Sequence, residues 1–317
     1  MKNSTFGKKL DSILPACRGK ISRNFALQRL SWLKVGGAAE VLFQPEDEED
    51  LVKFMKNLSP EIPIFVIGAC SNLIIRDGGI PGIVVRLGGS FSKINFTDTT
   101  ISVGASCLDS QVARISARNG ADLSFLRTIP GTIGGAIAMN AGCYGSYISD
   151  YFLSLRAVLR DGKIVNLNSK DLNFHYRGSL IPEGAIITEA TFKCVKDSPE
   201  QIEKKMNAAM KYRELHQPVR ELSCGSTFRN PLGRSSTIDK RDSDHSLKAW
   251  KLIDDAGLRG MRVGGAEIST KHPNFMINTG NATAKNLEDL GTLVIKKVKE
   301  KSGVELVWEI KRVGFSS

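Results

Sequence analysis

"IPGTIGGAIAMNAGCYG" spans residues 129–145, with Gly131, Gly134, Gly135, Gly142 and Gly145 set among small and apolar side chains. An ordered glycine gives up more conformational freedom on folding than any other residue. A soluble chain that concentrates so many needs a reason, and a backbone lying against a large anionic ligand supplies one. Amides in such turns form anion nests, and a helix starting near Gly134 adds its positive end. A second loop of the same kind is "VIGACSNLIIRDGG" (66–79), a strand running into Gly68, Ala69, Cys70, Ser71 and Asn72. Ser71, Asn72 and Thr132 add side-chain hydrogen-bonding groups. Neither loop has the G-x-G-x-x-G dinucleotide fingerprint or the G-x-x-x-x-G-K-[ST] phosphate loop. Each alone reads as a tight structural turn. Two together in one α+β region favour a nucleotide-type cofactor.

The 317 residues suit two or three domains with ample core. A hydrophobic fraction of 41% and a charged fraction of 24% are those of an ordinary globular protein. No apolar run approaches the ~20 residues that span a bilayer. "MKNSTFGKKLDSILPACRGK" lacks an apolar signal core, so a cytoplasmic protein without membrane partners is expected. The net charge of +11 can draw in nucleic acid or small phosphorylated substrates. The basic residues are scattered and form no nucleic-acid signature, which favours the small molecules. Cys17, Cys70, Cys107, Cys143, Cys194 and Cys224 make no C-x-x-C pair and have no zinc spacing with His. They are read as reduced thiols, and no metal site is expected.

Residues 1–30 read as an irregular or helical lead-in. "AEVLFQPEDEEDLVKFMKNL" is a strand, a Pro break and a helix with an acidic first turn. "IPIFVIG" reads as a buried strand, and "GIVVRLG" and "TISVGAS" as further strands. "LDSQVARISARNGADL" is a helix with Leu108, Val112 and Ile115 on one face and Gly120 as its stop. "LSLRAVLRDGKIVNL" is a hairpin turning at Asp161-Gly162, and "AIITEATFKCV" a long strand. "SPEQIEKKMNAAMKYRELHQP" is a helix with Ser198 as N-cap and Pro199 at its first position. A boundary near Pro218 separates a cofactor domain of two sub-regions (31–217) from a smaller terminal domain (218–317). The latter is expected to hold a helix near 247–256, strands near 265–278, a helix over 284–301 and a closing strand, "VELVWEIKRVG". Polar, turn-rich 233–248 reads as a mobile surface insertion.

Seven stretches in order carry a resemblance: "SWLKVGGAAEVLFQP" (31–45), "GACSNLIIRDGGIPGIVVRLG" (68–88), the opening stretch, "FHYRGSLIP" (174–182), "CGSTFRNP" (224–231), "KLIDDAGLRGMRVGGAEISTKHPNFMINTGNATAKNLEDL" (251–290) and "GVELVWEIKRVG" (303–314). From about residue 24 to the end, the chain resembles the UDP-N-acetylenolpyruvoylglucosamine reductases (the MurB family). The resemblance implies an α+β protein with a two-part FAD-binding domain of the vanillyl-alcohol-oxidase type and a C-terminal domain that binds a UDP-sugar. It implies non-covalent FAD held by Gly68, Ala69, Cys70, Ser71, Asn72, Leu73, Pro130, Gly131, Thr132, Gly134, Gly135, Asn140 and Gly142. It also implies NADPH as co-substrate, using the sugar's cleft in turn. The family usually has Gly at Cys70, so this side chain must point away from the pyrophosphate or the loop shifts. The long insertion of one branch is absent, which makes this the shorter, second type. Segment 233–248 is longer than usual.

Reducing an enol ether conjugated to a carboxylate sets three demands. A cation must sit near the carboxylate, a second polar group must share the developing charge, and an acid must lie on the correct face. Arg177 in "FHYRGS" can bind a carboxylate in bidentate fashion; outside this motif an ordinary salt bridge would be the better reading. Ser226 has neither a G-x-S-x-G elbow nor a His/Asp triad around it, but maps onto the family's proton donor. Glu309 shares a strand face with Val307 and Lys311 and can reach Arg177 or the substrate; Glu305 is the competing position. For the UDP-sugar, Arg213, Gln217, Asn230, Lys251, His272 and Asn274 are candidates, with a structural role open for His272. Two other classes stay open: an FAD-dependent oxidase of the same superfamily acting on an alcohol or sugar, and a non-enzymatic nucleotide-binding protein. A monomer is expected.

Overall fold

The computed structural model describes residues 14–233 and 247–316. Most of the 233–248 segment therefore lies outside the described residues. The chain opens with strand β1 (Lys20–Ala26), antiparallel to β2 (Ala38–Gln44) from Lys20↔Gln44 to Ala26↔Ala38. Residues 20–26 are thus not the irregular or helical lead-in expected. The Asp50 carboxylate anchors this strand's start by accepting from the main-chain N–H of Arg18 (2.7 Å) and Gly19 (2.9 Å). Helix α1 (Glu48–Asn57) is capped by Asp47, which accepts from the Asp50 N–H, and Glu48 and Glu49 complement its dipole. Its inner face buries Leu51, Phe54 and Met55, and Phe54 stacks on Phe43 of β2 at 3.9 Å between centroids.

Strands β3 (Ile64–Val66), β4 (Leu73–Ile75) and β5 (Ile80–Val85) follow, and the first sheet runs β1-β2-β5-β3. β3 is shorter and less buried than the sequence suggested. It is an edge strand, and Val66 faces a cleft. Next come β6 (Ile94–Phe96), β7 (Thr100–Gly104) and helix α2 (Asp109–Arg118). The buried face of α2 carries Asp109, Val112, Ala113, Ser116 and Ala117. Leu108, expected on that face, is 48% exposed, because it stands just before the helix on extended backbone at a cavity rim.

The glycine-rich stretch forms the short helix α3 (Ile133–Ala138), then β8 (Gly142–Cys143), β9 (Ser146–Tyr147) and α4 (Ile148–Tyr151). β10 (Phe152–Val158) and β11 (Ile164–Asn168) make the expected hairpin, with Gly162 at φ +81°. After α5 (Ser169–Leu172), the long strand β12 (Ile186–Lys193) completes a second sheet, β11-β10-β12-β7-β6. Helix α6 (Pro199–His216) starts as the sequence dictates: Ser198 accepts from the Gln201 N–H, and Pro199 holds the first position.

The C-terminal region holds β13 (Leu222–Ser226), α7 (Ala249–Asp255), β14 (Arg262–Val263), β15 (Ala266–Ile268), β16 (Phe275–Asn278) and α8 (Ala284–Ser302), with the sheet ordered β13-β16-β15-β14. Thr283 and Asn286 form a capping box at the start of α8, and Gly303 closes it at φ +74°. The core under this sheet also takes in Leu33, Val35 and Ile74 from the N-terminal half. Gly291 makes room within α8 for Trp308; a Cβ there would come within 2.2 Å of the indole ring. A mid-helix glycine costs about 1 kcal/mol against Ala, and the seat it opens fixes the direction of the residues beside Trp308.

The closing strand is shorter than expected. Only β17 (Lys311–Val313) is strand, and it pairs in parallel with β4 through Lys311↔Leu73, Arg312↔Ile74 and Val313↔Ile75. Upstream, the chain meets only an isolated bridge, Phe228↔Trp308. Glu309 therefore sits before the strand.

Candidate active site

The two glycine loops meet. The Ser71 hydroxyl of the first donates to the Pro130 carbonyl of the second. A Cβ on Gly68 would lie 2.3 Å from Thr132 Oγ1, and one on Gly131 would lie 2.7 Å from Asp109 Oδ2, so neither position has room for a side chain. At Gly135 a Cβ would meet only Thr132 Oγ1, at 3.6 Å, so the backbone there faces open space. Two cavities share this waist of Gly68, Ala69, Thr132, Gly135 and Ala138. One, of about 350 Å³, reaches the C-terminal region; the other, of about 690 Å³, opens between Arg29, Trp32, Arg86, Ser106 and Leu108. Both are ligand-sized.

A long ligand with its diphosphate at the glycine waist fits this shape, with a mononucleotide half on either side. Arg29 and Arg86 at the larger cavity supply cations, and Trp32 and Leu108, 42% and 48% exposed, supply apolar cover. Sequence reasoning missed these four. The arginines stand at the end of a 3-10 turn and just after a strand, and although Arg86 falls within the stretch 68–88, nothing local marks either as a ligand.

All the first-loop residues expected to hold the cofactor, Gly68 through Leu73, line the smaller cavity with Pro130, Gly131, Thr132, Gly135 and Gly142. Cys70 adopts φ +53°, and its side chain is buried in the core beneath the loop, with the thiol pushed up to about 11 by burial. A neutral, inward thiol leaves the loop's outer surface free. Gly134 lines the larger cavity, whereas Asn140 lines neither. The Gly134 N–H is committed to the Ala105 carbonyl at 2.9 Å. Asn140 is buried, donating to the His175 carbonyl (3.1 Å) and accepting from the Ser149 N–H (3.0 Å). It holds the turn that carries Arg177.

That turn is tight. His175 and Gly178 exchange both main-chain hydrogen bonds, at 3.0 and 3.2 Å, and Arg177 is held at φ +59°. A non-glycine residue in the left-handed region is strained by about 1 kcal/mol or more, and its contacts hold it there. Arg177 Nε donates to Glu309 Oε1 at 2.8 Å, and Nη1 donates to the Gly142 carbonyl at 3.4 Å. The two side chains are 14% and 12% exposed. Burial raises the Glu309 carboxyl, opposed by Arg177 and then Arg229. Burial alone would lower the Arg177 guanidinium; the adjacent carboxylate reverses this and keeps it charged.

Ser226, at the end of β13, lines the same cavity. Its neighbour Gly225 has φ +78°, and a Cβ there would meet nothing within 4 Å, which leaves the approach to Ser226 open. Lys311 also lines the cavity, and burial lowers its ammonium. Arg213 and Gln217 form the far wall, with Arg213 Nε donating to Gln217 Oε1 at 3.1 Å and Nη1 donating to the Thr128 carbonyl.

The other expected sugar-binding residues do not line this cavity. Asn230 Oδ1 accepts from Ala249 N–H (3.1 Å), capping α7 from a distance. Lys251 pairs with Asp255 one turn on. Asn274 is buried and exchanges hydrogen bonds with the Phe228 main chain at 3.0 and 2.9 Å. His272 Nδ1 accepts from the Asn274 N–H at 3.3 Å and its ring packs on Phe275, contacts that support a structural role.

Burial lowers the His272 pKa to about 4. Unfolding releases it to an ordinary histidine near 6.5, so the unfolded chain binds the extra proton between these values. Its contribution to stability is therefore present above pH 6.5 and lost as pH falls toward 4, on the order of 3 kcal/mol in all. Denaturant unfolding measured across this range should show a weaker pH dependence in His272→Gln. Equal slopes in the two proteins would remove His272 as the cause.

Among the described residues, no helix is long and apolar enough to cross a membrane, and no group of His, Cys, Asp and Glu could hold a metal ion. An α+β scaffold whose paired glycine loops frame a bipartite cleft, with a buried Arg–Glu pair and a serine at one end, defines a flavin-dependent oxidoreductase of two-domain build. The model of the family described as "FAD binding domain" matches residues 39–168, and that of "UDP-N-acetylenolpyruvoylglucosamine reductase, C-terminal domain" matches residues 217–313. The UDP-N-acetylenolpyruvoylglucosamine reductase of Paracoccus denitrificans is 53% identical over 301 residues, covering 95% of this chain and 98% of the relative. That of Ruegeria pomeroyi is 52% identical over 299 residues, covering 94% and 97%. The crystal structure of the Thermus caldophilus enzyme of that name superposes with a TM-score of 0.77 at 32% identity, covering 94% of this chain and 99% of that one. The chain belongs to the UDP-N-acetylenolpyruvoylglucosamine reductase family.

Proposed function

We propose that the chain reduces UDP-N-acetylglucosamine enolpyruvate to UDP-N-acetylmuramate at the expense of NADPH, in the cytoplasm, during peptidoglycan precursor synthesis. The observation that carries this reading is the convergence of Arg177, Glu309 and Ser226 on one end of the glycine-lined cleft. The chemistry supplied by non-covalently bound FAD is acceptance of a hydride from NADPH and its donation to the enolpyruvyl double bond. Arg177 binds the substrate carboxylate, where negative charge gathers in the transition state. Glu309 fixes the guanidinium's orientation through its bond to Nε. Ser226 holds the proton that goes to carbon, and the nearby cations of Arg177 and Lys311 offset the alkoxide left behind. Arg213 and Gln217 take the polar part of the UDP-sugar. In this reading residues 31–217 form the cofactor domain and 218–317 the substrate domain of a monomer whose partners are small molecules alone.

The visible spectrum of the purified protein tests the proposal. A flavin spectrum is expected, bleached by NADPH and restored by the enolpyruvyl sugar, with the colour released on acid denaturation. A protein that stays colourless after incubation with FAD ends the reading. Colour that stays with the acid pellet turns it toward the oxidases that tether their flavin.

A further inference from the structure

The main chain of Glu309 is held from two sides. Its N–H donates to the Thr227 carbonyl at 2.8 Å, directly after Ser226. Its carbonyl accepts from Asn72 Nδ2 at 3.3 Å, across 237 residues of chain, in the first glycine loop. The Asn72 carbonyl in turn accepts from the Lys311 N–H at 3.1 Å, which starts the parallel β4–β17 pairing. One asparagine thus clamps both ends of the peptide segment that presents Glu309. The same amide reaches no charged group; its other neighbour is the Met139 sulfur, at 3.8 Å.

From this geometry we infer that Asn72 is a positioning residue for Glu309: its side-chain amide couples the cofactor loop to the Arg177–Glu309 pair and sets where that pair stands. This inference rests on the reading of Arg177 and Glu309 given above. The expected residue role for Asn72, direct cofactor binding, predicts something different. An asparagine that held the cofactor would, on substitution, lose FAD and slow every step that needs it. An asparagine that acts through Glu309 would slow only the step in which the pair meets the substrate.

The physical asymmetry behind the test is that of donor and acceptor. Asn72→Asp keeps the size and shape but replaces the donating NH₂ by a carboxylate oxygen. Two oxygens then face each other at the Glu309 carbonyl, and a bond becomes a repulsion. Asn72→Ala removes the group and leaves the carbonyl unsatisfied. Only the main-chain link from Lys311 to residue 72 survives in both.

The experiment separates the two half-reactions by stopped-flow spectroscopy and measures FAD dissociation by fluorescence. In Asn72→Ala and Asn72→Asp, reoxidation of the reduced flavin by the enolpyruvyl sugar is expected to slow about 10- to 100-fold. Bleaching by NADPH and the FAD dissociation constant should stay within about threefold of the parent. Asn72→Asp, which leaves the loop's packing volume unchanged, carries the test if the alanine variant fails to fold. FAD loss in step with slowing of both half-reactions would make Asn72 a cofactor ligand and overturn the inference. Wild-type reoxidation in Asn72→Asp would overturn it equally. A parent protein that bleaches but is not reoxidised by the sugar would defeat the proposed function first, before any variant is compared.

Discussion

Ser226→Ala should reduce flavin reoxidation by the enolpyruvyl sugar about 10³- to 10⁴-fold while leaving the rate of bleaching by NADPH nearly unchanged. A positioned proton donor contributes factors of about 10² to 10⁴, and 10³ to 10⁴ corresponds to roughly 4–5.5 kcal/mol of activation free energy. The upper part of the range requires that no other group on the described wall of this cavity take over the proton. Arg177 is held charged and burial lifts the Cys143 thiol, so neither gives up a proton readily, whereas burial lowers the Lys311 ammonium and makes it the competing donor. Glu309 is committed to Arg177, and the other carboxyl on this wall, Asp109, is fully buried beneath Gly131, with burial pushing it well above the ordinary carboxylate range. The alanine removes one oxygen beside the open backbone of Gly225 and should leave FAD binding and thermal stability intact. Ser226→Cys restores a transferable proton at the same atom and should recover part of the lost rate. Single-turnover stopped-flow traces give both half-reactions from one sample. A Ser226→Ala protein reoxidised at the parent rate would remove the serine from the reaction and require the proton to come from solvent.

Why some of this was legible in the sequence, and some was not, follows from the range of the interactions. The start of α6 is written in two adjacent residues: Ser198 supplies a capping hydroxyl and Pro199 lacks the N–H that a first-turn residue cannot bond anyway. The Asp161-Gly162 hairpin is equally local. The glycines at 68 and 131 are legible as members of glycine-rich loops, and in the structure a side chain at either would have to displace Thr132 or Asp109. β17 is different. Residues 311–313 become a strand only by pairing with 73–75, far away in sequence, and nothing in "VELVWEIKRVG" states where its partner lies. Period-2 alternation therefore overextended that strand. β1 was missed for the same reason, since its partner lies across a 3-10 turn and an irregular link. Polar residues next to turns were the harder ones to place. Asn140, Asn230, Asn274 and His272 all look like ligands in one dimension, yet each spends its side chain on a main-chain group. Composition cannot tell an amide that serves the fold from one that serves a substrate. Family resemblance brought Arg177, Ser226 and Glu309 forward, and the physical reason they belong together is visible only in three dimensions.

The second large effect is expected at the Arg177–Glu309 pair. Breaking a buried pair by removing one partner leaves the other charge uncompensated, at a typical cost of about 3–5 kcal/mol; here part of that cost is avoided because Glu309 can take up a proton. Burial already raises its carboxyl, and Arg177 is the foremost group holding it down. In Arg177→Met the foremost opposing cation is gone and Arg229 remains, so the carboxyl moves further up and holds its proton to higher pH. Reoxidation by substrate should then fall by about three orders of magnitude, a few kcal/mol, from loss of the positioned charge. The pH profile supplies a sharper test. If the ionised pair is the active form, reoxidation in the parent is lost as pH falls through the raised Glu309 pKa, giving an acid limb above the ordinary carboxylate range. Glu309→Gln can still accept from Arg177 Nε through its amide oxygen but cannot titrate, so that limb should vanish while a reduced rate remains. Arg177→Lys keeps the charge but not the fork that grips a carboxylate at two points, and should recover little. A double-mutant cycle on Arg177→Met and Glu309→Gln should show effects far from additive, because each substitution removes the same ion pair. Additive losses, or an acid limb that persists unchanged in Glu309→Gln, would mean that the two side chains meet in the fold without acting together on the substrate.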